Sequence, residues 1–309
     1  MCSPSSSPIL AVRSRMNSEL DNSRTSTEVQ ASPSFSTWTP PTGVLGGIVA
    51  EAYERVERLR RDRAGVAALE RAAADAPGAP SFLAALRRPT VSVIAEVKRR
   101  SPSKGAINPS MSAAAQASAY IEGGAAAISV LTEPLHFAGS LDDLRSARSA
   151  VADRAPLLRK DFHVDEVQLL EARAAGAAAA LLIARALAPD ALRRLVAFAR
   201  SLQLEPLVEV RSAAELERAL ASGARVIGVN NRDLETLIIE PEVGAALVPL
   251  VPPDCIAIAE SGVRDVSDVE RASASGADAV LVGSSISAAA DPVAAVRALT
   301  TVRRSARGG

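Results

Sequence analysis

Lysine, histidine, cysteine and aromatic residues are all scarce in this 309-residue chain, and each scarcity excludes something. The two cysteines, Cys2 in a polar tail and Cys255 beside an apolar run, offer neither a disulfide framework nor metal-ligand spacing. A reducing, cytoplasmic compartment is expected. The two histidines, His136 and His163, have no third ligand candidate beside them, so no metal is expected and they read as loop residues. Aromatics are 3% of the chain against 48% apolar residues, so Ala, Val, Leu and Ile must fill the core. No apolar run approaches the length of a membrane span. The net charge is zero and no Lys/Arg run could track a phosphate backbone. Neither nucleic acid nor membrane is an expected partner.

Of 35 basic residues only three are lysine: Lys98, Lys104 and Lys160. Arg cannot release a proton near neutral pH, whereas Lys can. A chain that uses Arg almost everywhere can keep Lys where Arg will not serve, so the positions of these three in the fold carry weight.

Residues 1–40 are rich in Ser, Thr, Pro and Asn and have no periodic apolar face, the signature of a disordered tail. The run Ile9-Leu10-Ala11-Val12 is too short for a secretory core. The Ser and Arg content would suit a transit peptide, Glu19, Asp21 and Glu28 argue against one, and a start at Met16 or later is a third reading. From Leu45 to about Ala74, Ile48, Ala52, Val56, Leu59 and Val66 recur at helical spacing until Pro77 and Pro80 break the pattern. One or two helices therefore precede the main domain.

From Val91 onward, short β-branched runs alternate with Ala/Leu-rich amphipathic stretches. The runs are 91–97, 126–131, 156–160, 178–183, 206–210, 225–230, 255–260 and 278–283. The helical stretches are 111–122, 140–152, 165–175, 189–202, 211–222, 240–249, 265–275 and 291–303. Gly124, Gly176, Gly223 and Gly276 fall where helices end before the next strand. Strands apolar on both faces, each followed by a helix, imply a parallel sheet covered by helices. Eight such units make the expected fold α/β, a (β/α)8 TIM barrel with an N-terminal helical extension at about 45–75, forming one domain over 45–304. A doubly wound open sheet is the alternative, but the loop Arg99-Arg100-Ser101-Pro102-Ser103-Lys104-Gly105 is not a dinucleotide fingerprint.

Barrel chemistry sits at the carboxyl ends of the strands. There the runs end in Glu96-Val97-Lys98, Lys160, Glu209, Asn230-Asn231-Arg232, Glu260-Ser261-Gly262 and Gly283-Ser284-Ser285. Side chains alternate faces along a strand, so Glu96 and Lys98 point the same way. Ionisable groups at the ends of apolar strands are costly unless paired or used. An ion-pair network closing the barrel top would account for some of them. Convergence from several strands on one mouth favours catalysis. Ser261-Gly262 and Gly283-Ser284 are small and expose backbone N–H groups, which suits a phosphate.

These motifs resemble the indole-3-glycerol-phosphate synthase family. The resemblance is carried by Glu96-Val97-Lys98-Arg99-Arg100-Ser101-Pro102-Ser103, Leu131-Thr132-Glu133-Pro134, Leu158-Arg159-Lys160-Asp161-Phe162, Glu205-Pro206-Leu207-Val208-Glu209-Val210, Gly228-Val229-Asn230-Asn231-Arg232, Ala259-Glu260-Ser261-Gly262 and Val282-Gly283-Ser284-Ser285, in order from about 45 to 304. It implies that 1-(2-carboxyphenylamino)-1-deoxyribulose 5-phosphate closes to indole-3-glycerol phosphate in tryptophan biosynthesis, with loss of carbon dioxide and water and without a cofactor. It assigns Lys160 as general acid, Glu209 as its acid/base partner, and Glu96 and Lys98 to catalysis or substrate binding. Ser101 is placed on the substrate carboxylate, Asn230 and Arg232 in substrate orientation, and Ser261, Gly262, Gly283 and Ser284 around the phosphate.

Phe162 and Leu182 are the apolar residues expected to sandwich the aromatic ring. Burial and neighbouring charge are expected to lower the Lys160 pKa toward the working pH. Association with other enzymes of the tryptophan pathway is a candidate partnership. Two further readings stay open. Phosphoribosylanthranilate isomerase chemistry would want a Cys/Asp pair at strand ends, but Cys255 lies at the wrong end of its run. A non-catalytic barrel would be expected to have lost strand-end charges, and none is missing.

Overall fold

Residues 38–307 are described by the structure, a computed structural model. Most of the expected tail, with Cys2 and Met16, lies outside the described residues. Trp38, Thr39 and Pro40, also expected in that tail, are held at the barrel mouth. Arg185 Nη1 donates to Thr39 O at 2.6 Å, and Trp38 Nε1 donates to Arg185 O at 3.2 Å.

The helical pattern ahead of the barrel forms two helices. In α1 (Gly43–Arg61), Leu45, Ile48, Val49, Ala52 and Val56 make one buried stripe. Their spacing keeps them on the face toward the barrel, and burying each large side chain contributes about 1.5–3 kcal/mol. Asp62 interrupts the run and starts α2 (Arg63–Asp75) by accepting Gly65 N–H at 2.8 Å on its side chain. α2 stops before Pro77, as expected, and a single turn, α3 (Phe82–Ala85), leads to the first strand.

That strand is β1 (Ser92–Val97). The loop after it carries a small antiparallel hairpin, β2 (Arg100–Ser101) and β3 (Gly105–Ala106). There follow α4 (Ala113–Glu122), β4 (Ala127–Leu131), the single turn α5 (Pro134–Phe137), α6 (Leu141–Val151) and β5 (Leu157–Lys160). Then come α7 (Glu166–Ala174), β6 (Ala179–Ile183), α8 (Pro189–Ser201), β7 (Glu205–Val210), α9 (Ala213–Ala221) and β8 (Val226–Asn230). The chain ends with α10 (Pro241–Leu247), β9 (Ile256–Glu260), α11 (Val266–Ala274), β10 (Ala279–Val282), the turn α12 (Ser284–Ser287) and α13 (Pro292–Leu299).

The eight long strands form a closed parallel barrel in the order β1-β10-β9-β8-β7-β6-β5-β4, sealed by β1 against β4 with Glu96 opposite Ser129. The (β/α)8 expectation holds. Every residue of β1, β4, β6, β8, β9 and β10 is buried, because one face meets the interior and the other meets helices. Gly124 and Gly276 have φ of 94° and 88° and let the chain reverse from helix into strand, as the recurring glycines suggest. The hairpin β2–β3 and the turns α5 and α12 are not visible as periodicity, being too short to carry any. At the floor of the barrel the last described residues fold back: Arg303 bridges Thr90, and Arg304 and Arg307 both pair with Asp278. Among the described residues no helix is long and apolar enough to cross a membrane.

Candidate active site

A cavity of ≈ 1260 Å³, counting the part open to solvent, occupies the carboxyl-terminal mouth of the barrel. Its floor is an ionic layer. Glu96, Lys160, Glu209 and Glu260 end β1, β5, β7 and β9, which are alternate barrel strands, the way a barrel fills one interior layer. Lys160 Nζ lies 3.5 Å from Glu260 Oε2, 3.7 Å from Glu209 Oε2 and 3.9 Å from Glu96 Oε2. Glu96 Oε1 pairs with Lys98 Nζ at 2.7 Å. Glu96 and Lys98 both line the cavity while the intervening Val97 does not, as alternation requires.

The charges decide the protonation states. Burial opposes the Lys160 ammonium, but the carboxylates of Glu260, Glu209 and Glu96 overcome it and hold the pKa above the usual lysine value. The expected lowering toward the working pH is therefore corrected: desolvation does act, and three carboxylates outweigh it. Glu96 is likewise opposed by burial, yet Lys98, Lys160 and Arg232 keep its carboxyl below the usual range. Glu260 takes the remaining proton. Burial, with repulsion from Glu209 and Glu96, pushes it up to about 8 against the pull of Lys160. Its nearest cation is Lys160, 3.5 Å from Oε2. Lys98 and Arg232 act on Glu96, which leaves Glu209 and Glu260 to share the one ammonium of Lys160, and two like charges this close do not both ionise readily.

Polar side chains above this layer are held by the chain around them. Asn230 Nδ2 donates to Glu209 Oε1 at 2.8 Å, and Asn230 Oδ1 accepts Arg232 N–H at 2.9 Å. Arg232 Nη1 donates to Leu237 O at 2.8 Å, which turns the guanidinium along the cavity wall. Ser101 lies buried at the turn end of the hairpin, where its Oγ accepts Lys104 N–H at 3.2 Å.

At the ends of β9 and β10 the backbone itself is the site. Ser261 and Gly262 are consecutive left-handed residues with φ of 64° and 89°. A non-glycine residue in this region is uncommon and points to a functional constraint. Gly283 precedes α12, whose first N–H groups have no intrahelical partner. Ser285 Oγ donates to Val263 O at 3.3 Å and ties the two turns together. A Cβ on Gly283 would overlap Glu96 Oε1 and crowd Lys98 Nζ, so only glycine leaves room for that pair.

All the residues expected at the site line this cavity except Leu182. Leu182 is fully buried and faces the helices; Leu181 and Ile183, its neighbours on β6, face the cavity instead. The expectation is one residue out of phase, which in a strand means the wrong face. Glu260 is legible in the sequence as a strand-end carboxylate, but the Ser-Gly beside it carries the more visible signal, and no role is expected of it there. Val44, Leu45 and Ile48 of α1 also line the cavity, so this helix covers the mouth, which periodicity could not show. His163 is a buried loop residue whose Nδ1 lies 2.7 Å from Leu181 O; burial pushes its pKa down to about 3, so it is neutral. Cys255 precedes β9 at the end of that strand opposite Glu260.

The family model of indole-3-glycerol phosphate synthase matches residues 45–299. The chain is 45% identical over 258 residues to the indole-3-glycerol phosphate synthase of Dehalococcoides mccartyi (strain ATCC BAA-2100), covering 83% of this chain and 99% of that one. It is 48% identical to indole-3-glycerol phosphate synthase 2 of Streptomyces coelicolor, covering 84% and 99%, and 49% identical to the Nocardioides enzyme of the same description, covering 84% and 98%. Among solved structures, 3-hexulose-6-phosphate synthase from Salmonella typhimurium superposes with a TM-score of 0.56 at 14% identity, covering 68% of this chain and 97% of the other. That likeness speaks to the barrel alone.

Proposed function

The chain belongs to the indole-3-glycerol phosphate synthase family, and from that premise we infer how its barrel mouth closes the indole ring. The enzyme is a carboxy-lyase of tryptophan biosynthesis acting on a phosphorylated small molecule, 1-(2-carboxyphenylamino)-1-deoxyribulose 5-phosphate. The supporting observation for the residue roles is one ammonium, Lys160, within 4 Å of carboxylates from three other strands.

Ser261, Gly262, Gly283 and Ser284 hold the phosphate through backbone N–H and hydroxyl groups. Ser101 takes the ring carboxylate. Phe162 and Leu181 enclose the aromatic ring. Anchoring both ends folds the substrate so that the ring carbon bearing the carboxylate meets the ketone carbon; such proximity is worth about 7–11 kcal/mol in favourable cases. As that carbon–carbon bond forms, the ketone oxygen gathers negative charge and takes a proton from Lys160. The raised pKa keeps this lysine charged before each turnover, and a developing alkoxide is basic enough to accept its proton. Carbon dioxide then leaves and returns its bonding electrons to the ring.

Dehydration follows: Glu209, oriented by Asn230, takes the proton lost by the new ring, and hydroxide departs as water with a proton from a neighbouring acid, Lys98 or Glu260. Glu96 fixes Lys98, and Arg232 orients the sugar chain. Glu260, protonated near neutral pH, is placed to return a proton to Lys160.

Residues 45–304 act as one domain on this reading. Residence in the cytoplasm accords with the free thiol of Cys255. A partnership with other enzymes of the pathway belongs to the same proposal and would appear as co-purification with them. Incubating the purified chain with the substrate should give the fluorescence of an indole and stoichiometric carbon dioxide. Substrate recovered unchanged would overturn the assignment.

A further inference from the structure

Helix α1 meets the barrel mouth in two different ways. Near its start, Val44 N–H donates to Glu235 O at 3.1 Å, and the apolar residues there line the cavity. Further along, Arg55 spreads its guanidinium between two buried carboxylates. Nη1 donates to Glu133 Oε1 at 3.2 Å and Nη2 to Asp161 Oδ1 at 3.0 Å. Arg55 does not itself line the cavity.

Each of the two acids fixes part of the site. The Glu133 carboxylate accepts the N–H groups of Leu135, His136 and Phe137 at 3.0, 2.7 and 3.1 Å, which sets the turn α5. Phe137 lines the cavity, and its ring centroid lies 6.1 Å from that of Phe162. Asp161 directly follows Lys160. It accepts Phe162 N–H at 2.8 Å, Thr132 Oγ1–H at 2.6 Å and Arg159 Nη2–H at 3.1 Å. The direction of the chain through Lys160 and Phe162 therefore depends on where Asp161 is held.

We propose that Arg55 is a positioning residue: one guanidinium bridging Glu133 and Asp161 locks helix α1, the Phe137 turn and the Lys160–Phe162 turn into a single wall against the aromatic end of the substrate. The planar fork of arginine spans two carboxylates at once, which a lysine ammonium on its single stem does not. Without it, helix α1 still meets the Phe137 turn through Glu51 and His136 at 2.7 Å and the chain beyond Phe162 through Arg60 and Asp165, but no single group ties the two turns to each other. Turnover falls because the ring and Lys160 lose their mutual alignment, although no group that touches substrate has been removed. This inference rests on the ring-closure reading above, which indole formation by the wild type tests separately.

The experiment is steady-state kinetics and thermal melting on R55M, R55K, F137A and R55M/F137A. In R55M, KM should rise and kcat fall so that kcat/KM drops by about thirtyfold, the scale of a misplaced reacting group. R55K, keeping the charge and one of the two bonds, should lie between R55M and the wild type. In the double variant kcat/KM should sit within about threefold of the worse single variant, because both changes break the same wall. A clamp that serves stability alone would lower Tm, leave KM unchanged and recover full turnover on cooling; that result, or losses that multiply in the double variant, overturns the proposal. If R55M does not fold, R55K/F137A closes the cycle in its place, and the same two outcomes decide.

Discussion

Gly228 of β8 lies beneath the carboxylate of Glu260, and a Cβ placed on it would overlap Glu260 Oε1. The absence of a side chain at 228 is thus what seats the third acid of the ionic layer. G228A should push that carboxylate off Lys160 or strain the barrel wall. Overpacking of this kind costs about 1–3 kcal/mol. The expected outcome is a lower Tm and a kcat/KM reduced by about tenfold or more, a modest share of what one acid/base group contributes. In G228A/E260A the overlap is relieved, so its Tm should exceed that of G228A; an equal or lower Tm would show that the two residues do not share this space.

Lys160 carries the proposed acid. K160M should keep the barrel fold, since methionine fills the same space, but with a lower Tm, because the buried acids lose their shared ammonium, and it should lose turnover by about 10²–10⁴-fold, the usual contribution of a positioned acid. K160R should be similarly inactive, because arginine keeps its proton. Turnover near the wild-type level in either variant would exclude this lysine as the donor.

Glu260 makes stability depend on pH in a direction opposite to a salt-bridged carboxylate. Its folded pKa of about 8 is above the ordinary value of 4.5. Its stabilisation is fully present below about 4.5 and is lost as pH rises through about 8, because only the folded state holds the proton in that window. Glu96, held below its ordinary value, acts the other way and only at more acidic pH. Denaturant unfolding followed from about pH 5 up to and through the Glu260 pKa of about 8 should therefore show stability declining in the wild type and a flatter profile in E260Q. Parallel profiles would place the titration on another group.

Leu181 and Leu182 separate binding from packing within one strand. L181A opens the wall at the aromatic ring and should raise KM with a small change in Tm. L182A leaves a hole between β6 and the helices, a change that typically costs about 2–5 kcal/mol, and should lower Tm while KM stays close to the wild-type value. Interchanged behaviour of the two variants would reverse the assignment of faces.

The barrel is readable in the sequence because its eight strands are apolar on both faces and its helices on one, so strand and helix periods alternate without ambiguity from Val91 onward. The ionic layer is readable because a charge ending an apolar run is costly to bury unless a partner or a reaction uses it. What escapes a sequence reading has equally physical causes. Leu182 cannot be told from Leu181 as the ring contact, because a run buried on both faces carries no polar alternation to set its phase. For Glu260 the signal is present, since the same alternation that pairs Glu96 with Lys98 points it inward. The sense of the Lys160 shift depends on three distances that no spacing in the chain encodes. Arg55 is, in the sequence, one more arginine on a helix, since its partners Glu133 and Asp161 lie 78 and 106 residues away.

The hold of Arg185 on Thr39 and Trp38 has a practical consequence. The polypeptide comes into the domain across the rim of the substrate opening, whereas Arg303 to Arg307 leave along the opposite floor against Thr90 and Asp278. Immobilising or fusing the protein beyond Arg307 therefore puts the attachment on the floor, on the side of the barrel away from the substrate entrance.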